Sequence, residues 1–172
     1  SAIKGLSGVA DVQVRGTEPT FDEAVYPVLA ALPEVAVASP ILEVEASIPG
    51  QRSALKIIGI DVFRAGFISP DLVGAPSEEH LQDTLADDAI FLSPAAQQWL
   101  SAQPDQPLPF QLGVGTVALR YAGALQSARA GQRLGVMDIG AAQWRFDRLG
   151  KLSRVDLKLR DGVNRDVFKT RL

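Results

Sequence analysis

Apolar and polar residues alternate along this chain with two periods, one suited to strands and one to helices. Residues 10–15 (ADVQVR) alternate every second position, as a half-buried strand does. Thr20-Phe21-Asp22-Glu23 has the form of a capping box: the Thr20 hydroxyl accepts from an early helical N–H and Glu23 reaches back. The helix predicted after it carries Phe21, Ala24, Val25, Val28 and Leu32 on one face, with a kink expected at Pro27, which removes one backbone hydrogen bond. Residues 35–48 read as one long strand. Val35 and Val37 share one parity and Leu42, Val44, Ala46 and Ile48 the other, so a bulge is expected around Ser39-Pro40. Pro49 to Arg52 form a turn, and residues 54–60 complete a hairpin.

The middle loses this regularity. Across residues 63–88, scattered Gly and Pro give way to an acidic stretch with Glu78, Glu79, Asp83, Asp87 and Asp88, which predicts a loop with one short helix. Residues 89–92 read as a short buried strand. Ser93-Pro94 then opens a helix, Ser as N-cap and Pro at the first position, which ends near Trp99-Leu100. Strands are predicted at 108–112 and 116–122, the second with Val117, Leu119 and Tyr121 on one face and Arg120 on the other. Residues 133–137 form a strand, and Asp138 caps a helix whose stripe is Ile139, Ala142, Phe146 and Leu149, with Gly150 as its left-handed C-terminal cap. Residues 154–160 alternate most cleanly, with Val155, Leu157 and Leu159 inward and the charges outward. A final helix is expected to run to Leu172. The order β-α-β-β, irregular insert, β-α-β predicts an α+β fold with two lobes, the outer segments pairing and the middle forming the second.

Composition narrows the function. With 172 residues, 47% hydrophobic and 22% charged, the chain has material for a real core and does not read as disordered. The formal charge is −3 and basic residues are interleaved with acidic ones, so no basic stripe marks a nucleic-acid partner. The absence of Cys excludes disulfides and thiolate metal sites. No run of about 18 apolar residues is present and no secretory pattern opens the chain. Ser1 is not an initiator and Leu172 falls within a helix, so both ends read as cuts in a longer protein.

The chemistry-bearing residues form no site. His80 is the sole histidine and lies in the acidic segment; a Ser-His-Asp triad would need it, and no G-x-S-x-G elbow exists. Gly113-Val114-Gly115-Thr116 lacks the lysine of a phosphate loop and precedes a strand, so it is a turn; Gly5, Gly8 and Gly16 make no dinucleotide fingerprint. The carboxylate pairs Asp22/Glu23, Glu78/Glu79 and Asp87/Asp88 fit a helix start and loop charge, and 78–88 lacks the spacing and glycine of an EF-hand. No catalytic, cofactor or metal residue is predicted, and the chain reads as a non-enzyme. Trp144 stands off the apolar stripe of its helix, one turn before Arg148. The two form a surface cation–π pair, pack against a neighbouring lobe, or make a partner contact, and they are the candidate contact residues.

Three stretches taken in order, VQVRGTEPTFDEAVYPVLAALPEVAVASPILEVEA at 12–46, AIFLSPAAQQWL at 89–100 and GQRLGVMDIGAAQWRFDRLGKLSRVDLKLRDGV at 131–163, resemble the periplasmic core domain of FtsX-like, MacB/LolC-type ABC-transporter permeases. The resemblance implies a porter-like lobe from residues 1–62 and 132–172 and an inserted, mainly β lobe from 63–131. It implies a periplasmic segment of a bacterial inner-membrane protein, set between two membrane helices and without cofactors. The implied partners are a second permease copy, a cytoplasmic ATPase subunit or domain, and a periplasmic protein or lipoprotein. The role implied is force transmission and docking of partner or cargo. A stand-alone extracytoplasmic binding protein for a small apolar ligand or lipid is the alternative, and would require a large apolar pocket.

Overall fold

The computed structural model describes residues 10–68, 72–76, 86–125 and 131–172, and in it the alternating segments become strands of one nine-stranded mixed sheet. At one edge β1 (Val12–Val14) pairs antiparallel with β11 (Arg154–Leu159), Val12 opposite Leu157 and Val14 opposite Val155, so the apolar positions of the two segments share one face. β3 (Val35–Ala46) follows, then its hairpin partner β4 (Leu55–Ile60), then β9 (Leu134–Asp138) parallel to β4. β6 (Ala89–Leu92) joins β9 to β8 (Gly115–Leu125), which also pairs with β5 (Gly74–Pro76) and β7 (Pro107–Leu112). Two further short strands, β2 (Phe21–Asp22) and β10 (Lys151–Leu152), pair with each other off the sheet.

Side chains on successive strand residues point to opposite faces, and apolar clusters cover both. Leu42, Val44, Ile57 and Leu92 meet α3 (Pro94–Leu100), α4 (Ile139–Arg145) and the β7–β8 hairpin through Ala96, Ala142, Phe110 and Phe146. Ile41, Ile58, Ile60 and Val136 face the other way, under Ala65 of α2 (Val62–Ile68), the short helix expected in the irregular segment. Val12, Val155, Leu157 and Leu159 pack with Leu29 of α1 (Val25–Ala30) and Phe168 of α5 (Arg165–Thr170). Gly59 lets α4 lie directly on β4. A Cβ there would come within 2.9 Å of Ala142 Cβ and 3.1 Å of Ile139 Cα.

Two of the three foreseen N-caps are formed: Ser93 Oγ accepts from Ala96 N at 3.2 Å, and the Asp138 carboxylate from Ala141 N at 3.0 Å. Other local expectations are corrected. Phe21 and Asp22 are held extended by β10, and Glu23 N donates to Gly150 O, so α1 starts only at Val25 and the Thr20–Glu23 capping box does not form. Pro27 is therefore the third helical residue, where its missing N–H has no intrahelical partner to lose, and no interior kink arises. The core side of α1 is Leu29 with Tyr26 and Leu32, while Val25 and Val28 are exposed.

The bulge in β3 lies at Val35–Val37, not at Ser39-Pro40. Val37 faces Lys158 and Val35 faces Leu159, so Ala36 is the extra residue, which returns Val35 to the face of Ala38. Pro40 is regular, placed where β11 is its neighbour and one residue before β4 joins at Ile41. α4 ends at Arg145, Leu149 leaves the stripe and is exposed, and Asp147 takes the left-handed backbone (φ 56°). Gly150 (φ 73°) serves the turn into β10 and does not cap the helix.

Candidate functional site

β7 and β8 are joined by Gly113 and Val114, with Gly113 at φ 63°, a left-handed position that glycine takes without steric cost. The tip of this hairpin stands over the C-terminal end of α4, with an open cleft of about 570 Å³ between them. Leu112, Val114, Val117, Arg145, Phe146 and Arg148 line it. Phe146, 1% exposed, anchors the floor in the core. Arg145 is held from behind: its Nε donates to Asp87 O at 2.6 Å and its Nη2 lies 3.7 Å from the Asp87 carboxylate. Arg148 Nη1 donates to the carbonyl oxygens of Phe146 and Asp147, each at 3.1 Å, and among the described residues no carboxylate neutralises it.

The two contact candidates are close in sequence but do different things. Arg148 lines the cleft. Trp144 is half exposed beside it, and the guanidinium over its ring, at 4.7 Å, is that of Arg145. The cation–π pair therefore forms between adjacent residues, because the short helix ends before Arg148 could turn back to Trp144. A second cation–π contact, Arg133 over Trp99 at 4.3 Å, went unforeseen because its partners are distant in sequence.

The carboxylate pairs in the described residues are engaged structurally. Asp22 accepts from Ala24 N, Glu23 from Gln143 Nε2, Asp87 holds Arg145 and Asp88 holds Arg120 at 3.2 Å. Gly5, Gly8, Glu78, Glu79, His80 and Asp83 lie outside the described residues. Among those described, no three His, Cys, Asp or Glu side chains converge as metal ligands.

A buried polar cluster overturns the outward charges expected on β11. Arg154 is 8% exposed and Asp156 1%. Arg154 Nε bonds the Asp156 carboxylate at 2.9 Å, and its Nη1 lies 3.3 Å from Glu43 on β3. Glu43 also takes Arg15 at 2.7 Å and Lys56 at 2.8 Å. Burial pushes the Glu43 carboxyl up, but hydrogen bonds from Lys56 and Arg15 and the field of Arg154 outweigh it and bring it to about 2. For Asp156 burial wins over Arg154 and raises the carboxyl. Three strands bring these charges together, and nothing local in the sequence marks Glu43 as their centre.

No family model matches the chain, and no curated protein matches it in sequence. Solved structures do share its fold. The extracellular domain of the noncanonic ABC-type transporter YknZ from Gram-positive bacteria superposes with a TM-score of 0.62 at 14% identity, over 90% of this chain and 79% of that one. The periplasmic region of MacB from Actinobacillus actinomycetemcomitans gives 0.58 at 9% identity, over 92% and 72%. The α+β fold of this chain is thus the fold of these extracytoplasmic transporter domains. No helix among the described residues is long and apolar enough to cross a membrane.

Proposed function

We propose that the chain is the extracytoplasmic domain of an ABC-transporter permease, a non-catalytic element that transmits force and docks a partner or cargo. The observation that carries this reading is the fold, shared over nine-tenths of the chain with two transporter domains of that placement. The geometry of the outer segments supports it. Asp11 N donates to Leu157 O at 2.9 Å and the Asp11 carboxylate accepts from Leu159 N at 2.8 Å, while Arg171 of the last helical turn pairs with Glu34 just before β3. The chain therefore enters β1 and leaves α5 at one end of the sheet, where Val35 of β3 faces Leu159 of β11. In a permease those two points would continue into membrane helices, and a movement of either would pull directly on β11 and β3. The reading assigns the porter-like lobe to 1–62 and 132–172, the insert to 63–131, and a second permease copy and a cytoplasmic ATPase as partners.

The test uses the absence of cysteine. Val114 is fully exposed at the hairpin tip. In the full-length protein, with any cysteine outside this chain replaced by serine, Val114→Cys should be labelled by a membrane-impermeant maleimide added to spheroplasts, and the same background without Val114→Cys should not be. Labelling only after lysis would place the domain on the cytoplasmic side and end this reading. For docking, Trp144 and Arg148 are the proposed contacts. Trp144→Ala should lower transport or partner binding by the full-length protein while thermal unfolding of the domain stays unchanged, because half of the ring lies outside the core. Normal transport by this variant would remove Trp144 from the mechanism.

A further inference from the structure

Among the described residues, the cleft beside Arg148 is bordered by backbone that no strand pairs. β8 pairs with β7 through residues 115–120, and on its opposite edge with β6 only from Arg120 onward. Arg120 N donates to Asp88 O at 2.7 Å on the β6 side, and Tyr121 N to Gln106 O at 3.0 Å on the β7 side. Successive residues of a strand direct their N–H and C=O to alternate edges. Thr116 and Ala118 therefore present theirs to the β6 side, where among the described residues no strand reaches them. Both residues are exposed.

Among the described residues the sheet protects its neighbouring edge and leaves this one open. On β7, Pro107 and Pro109 stand opposite Arg120 and Ala118, so their missing N–H groups fall on the outer side, and Gln111 is bonded to Ser47. Proline is a common device for blocking an edge strand. Gly115, Thr116, Val117 and Ala118 carry no such guard. The open edge borders the cleft that contains Arg145 and Arg148, Arg145 already tied to Asp87 and the Arg148 guanidinium bonded, among the described residues, only to backbone carbonyls. Asp147 borders it too and leaves the lining net positive. Val114 and Leu112 add apolar surface.

We infer that the open edge of β8 captures an extended segment of a partner protein by strand addition, with a carboxylate of that segment seated on Arg148. Main-chain bonds to Thr116 and Ala118 supply affinity, and the arginine selects acidic over basic segments. This gives partner chemistry to the docking half of the proposed function and rests on that half alone.

The test is nuclear magnetic resonance titration of the 172-residue chain with a blocked octapeptide alternating valine and glutamate. The amides of Thr116 and Ala118 should shift and gain protection from exchange. Arg148→Gln should weaken binding at least about tenfold, the scale of a hydrogen bond to a charged group. Ala118→Pro removes one edge donor while leaving the β7 side intact, and should abolish binding with the rest of the spectrum retained. Unperturbed Thr116 and Ala118 amides at millimolar peptide, or equal binding of the same peptide with lysine for glutamate, overturns the inference. Either outcome is independent of the Val114→Cys labelling, so failure here leaves the permease reading standing.

Discussion

Phe146→Ala is expected to destabilise the domain by about 3–5 kcal/mol, the range for emptying a buried phenyl site. Phe146 is 1% exposed and is the C-cap residue that follows α4. It packs in the cluster that also holds Leu42, Phe110 and Leu119, so it joins the helix to both β3 and the β7–β8 hairpin. Strands on one side and a hairpin on the other limit how far the cavity can collapse, which places the cost well above that of a surface change. Urea unfolding followed by circular dichroism measures it directly. In a domain of this size each kcal/mol lowers the melting temperature by roughly 2–4 °C. A loss below about 1 kcal/mol would mean that the hairpin closes onto the vacancy, and that the floor of the cleft is not rigid.

Glu43→Gln should cost a similar amount, roughly 3–5 kcal/mol, for a different reason. The substitution keeps the volume and removes the charge. Arg15 and Lys56 are half exposed and can return to water, but Arg154 is buried and keeps only Asp156. Breaking a buried pair by removing one partner is costly because it leaves the other charge poorly compensated.

The effect is tied to pH with a definite sign. The folded Glu43 carboxyl sits at about 2, below its ordinary value of 4.5. Its contribution is complete above the ordinary value and is lost as pH falls through the folded one. The stability gap between the parent and Glu43→Gln should therefore narrow steadily from about pH 5 downward. Asp156 works in the opposite direction. Its folded carboxyl is raised by burial, so its contribution is present at low pH and is lost as pH rises through the folded value. Urea midpoints of both proteins at pH 7, 4 and 3 decide the matter. A gap that stays constant over that range would show that the loss in Glu43→Gln does not come from the carboxylate's charge.

Local chemistry was legible where one segment carries its own signal. Ser93 and Asp138 cap helices because a side-chain oxygen beside a free helical N–H satisfies it in any context. Gly113 turns the β7–β8 hairpin because the position requires positive φ. The β3–β4 hairpin followed from alternation on either side of the Pro49–Arg52 turn, and the pairing of the outer segments was expected from the order of the elements. Where signals competed, a distant partner won. Thr20–Glu23 has a helix-start pattern, yet pairing of Phe21 and Asp22 with Lys151 and Leu152 holds it extended, and no local window contains both halves of that pair.

The same reason divides the sites. A period of two states which residues share a face, and it placed Arg154, Asp156 and Lys158 together. It does not state whether that face is covered, so Lys158 is exposed as expected while the burial of Arg154 and Asp156 had to come from the assembled sheet. Trp144 and Arg148 were legible as surface candidates from the helical stripe. The cleft was not, because it exists only where the β7–β8 turn meets the end of α4. By itself the sequence determined the element types, most strand partners near in the chain, and the absence of cysteine chemistry, all properties of short windows and composition. The tertiary structure alone decided which charges lie buried, which strand edge stays open among the described residues and which arginines line the cleft beside it, because each depends on what distant segments leave uncovered.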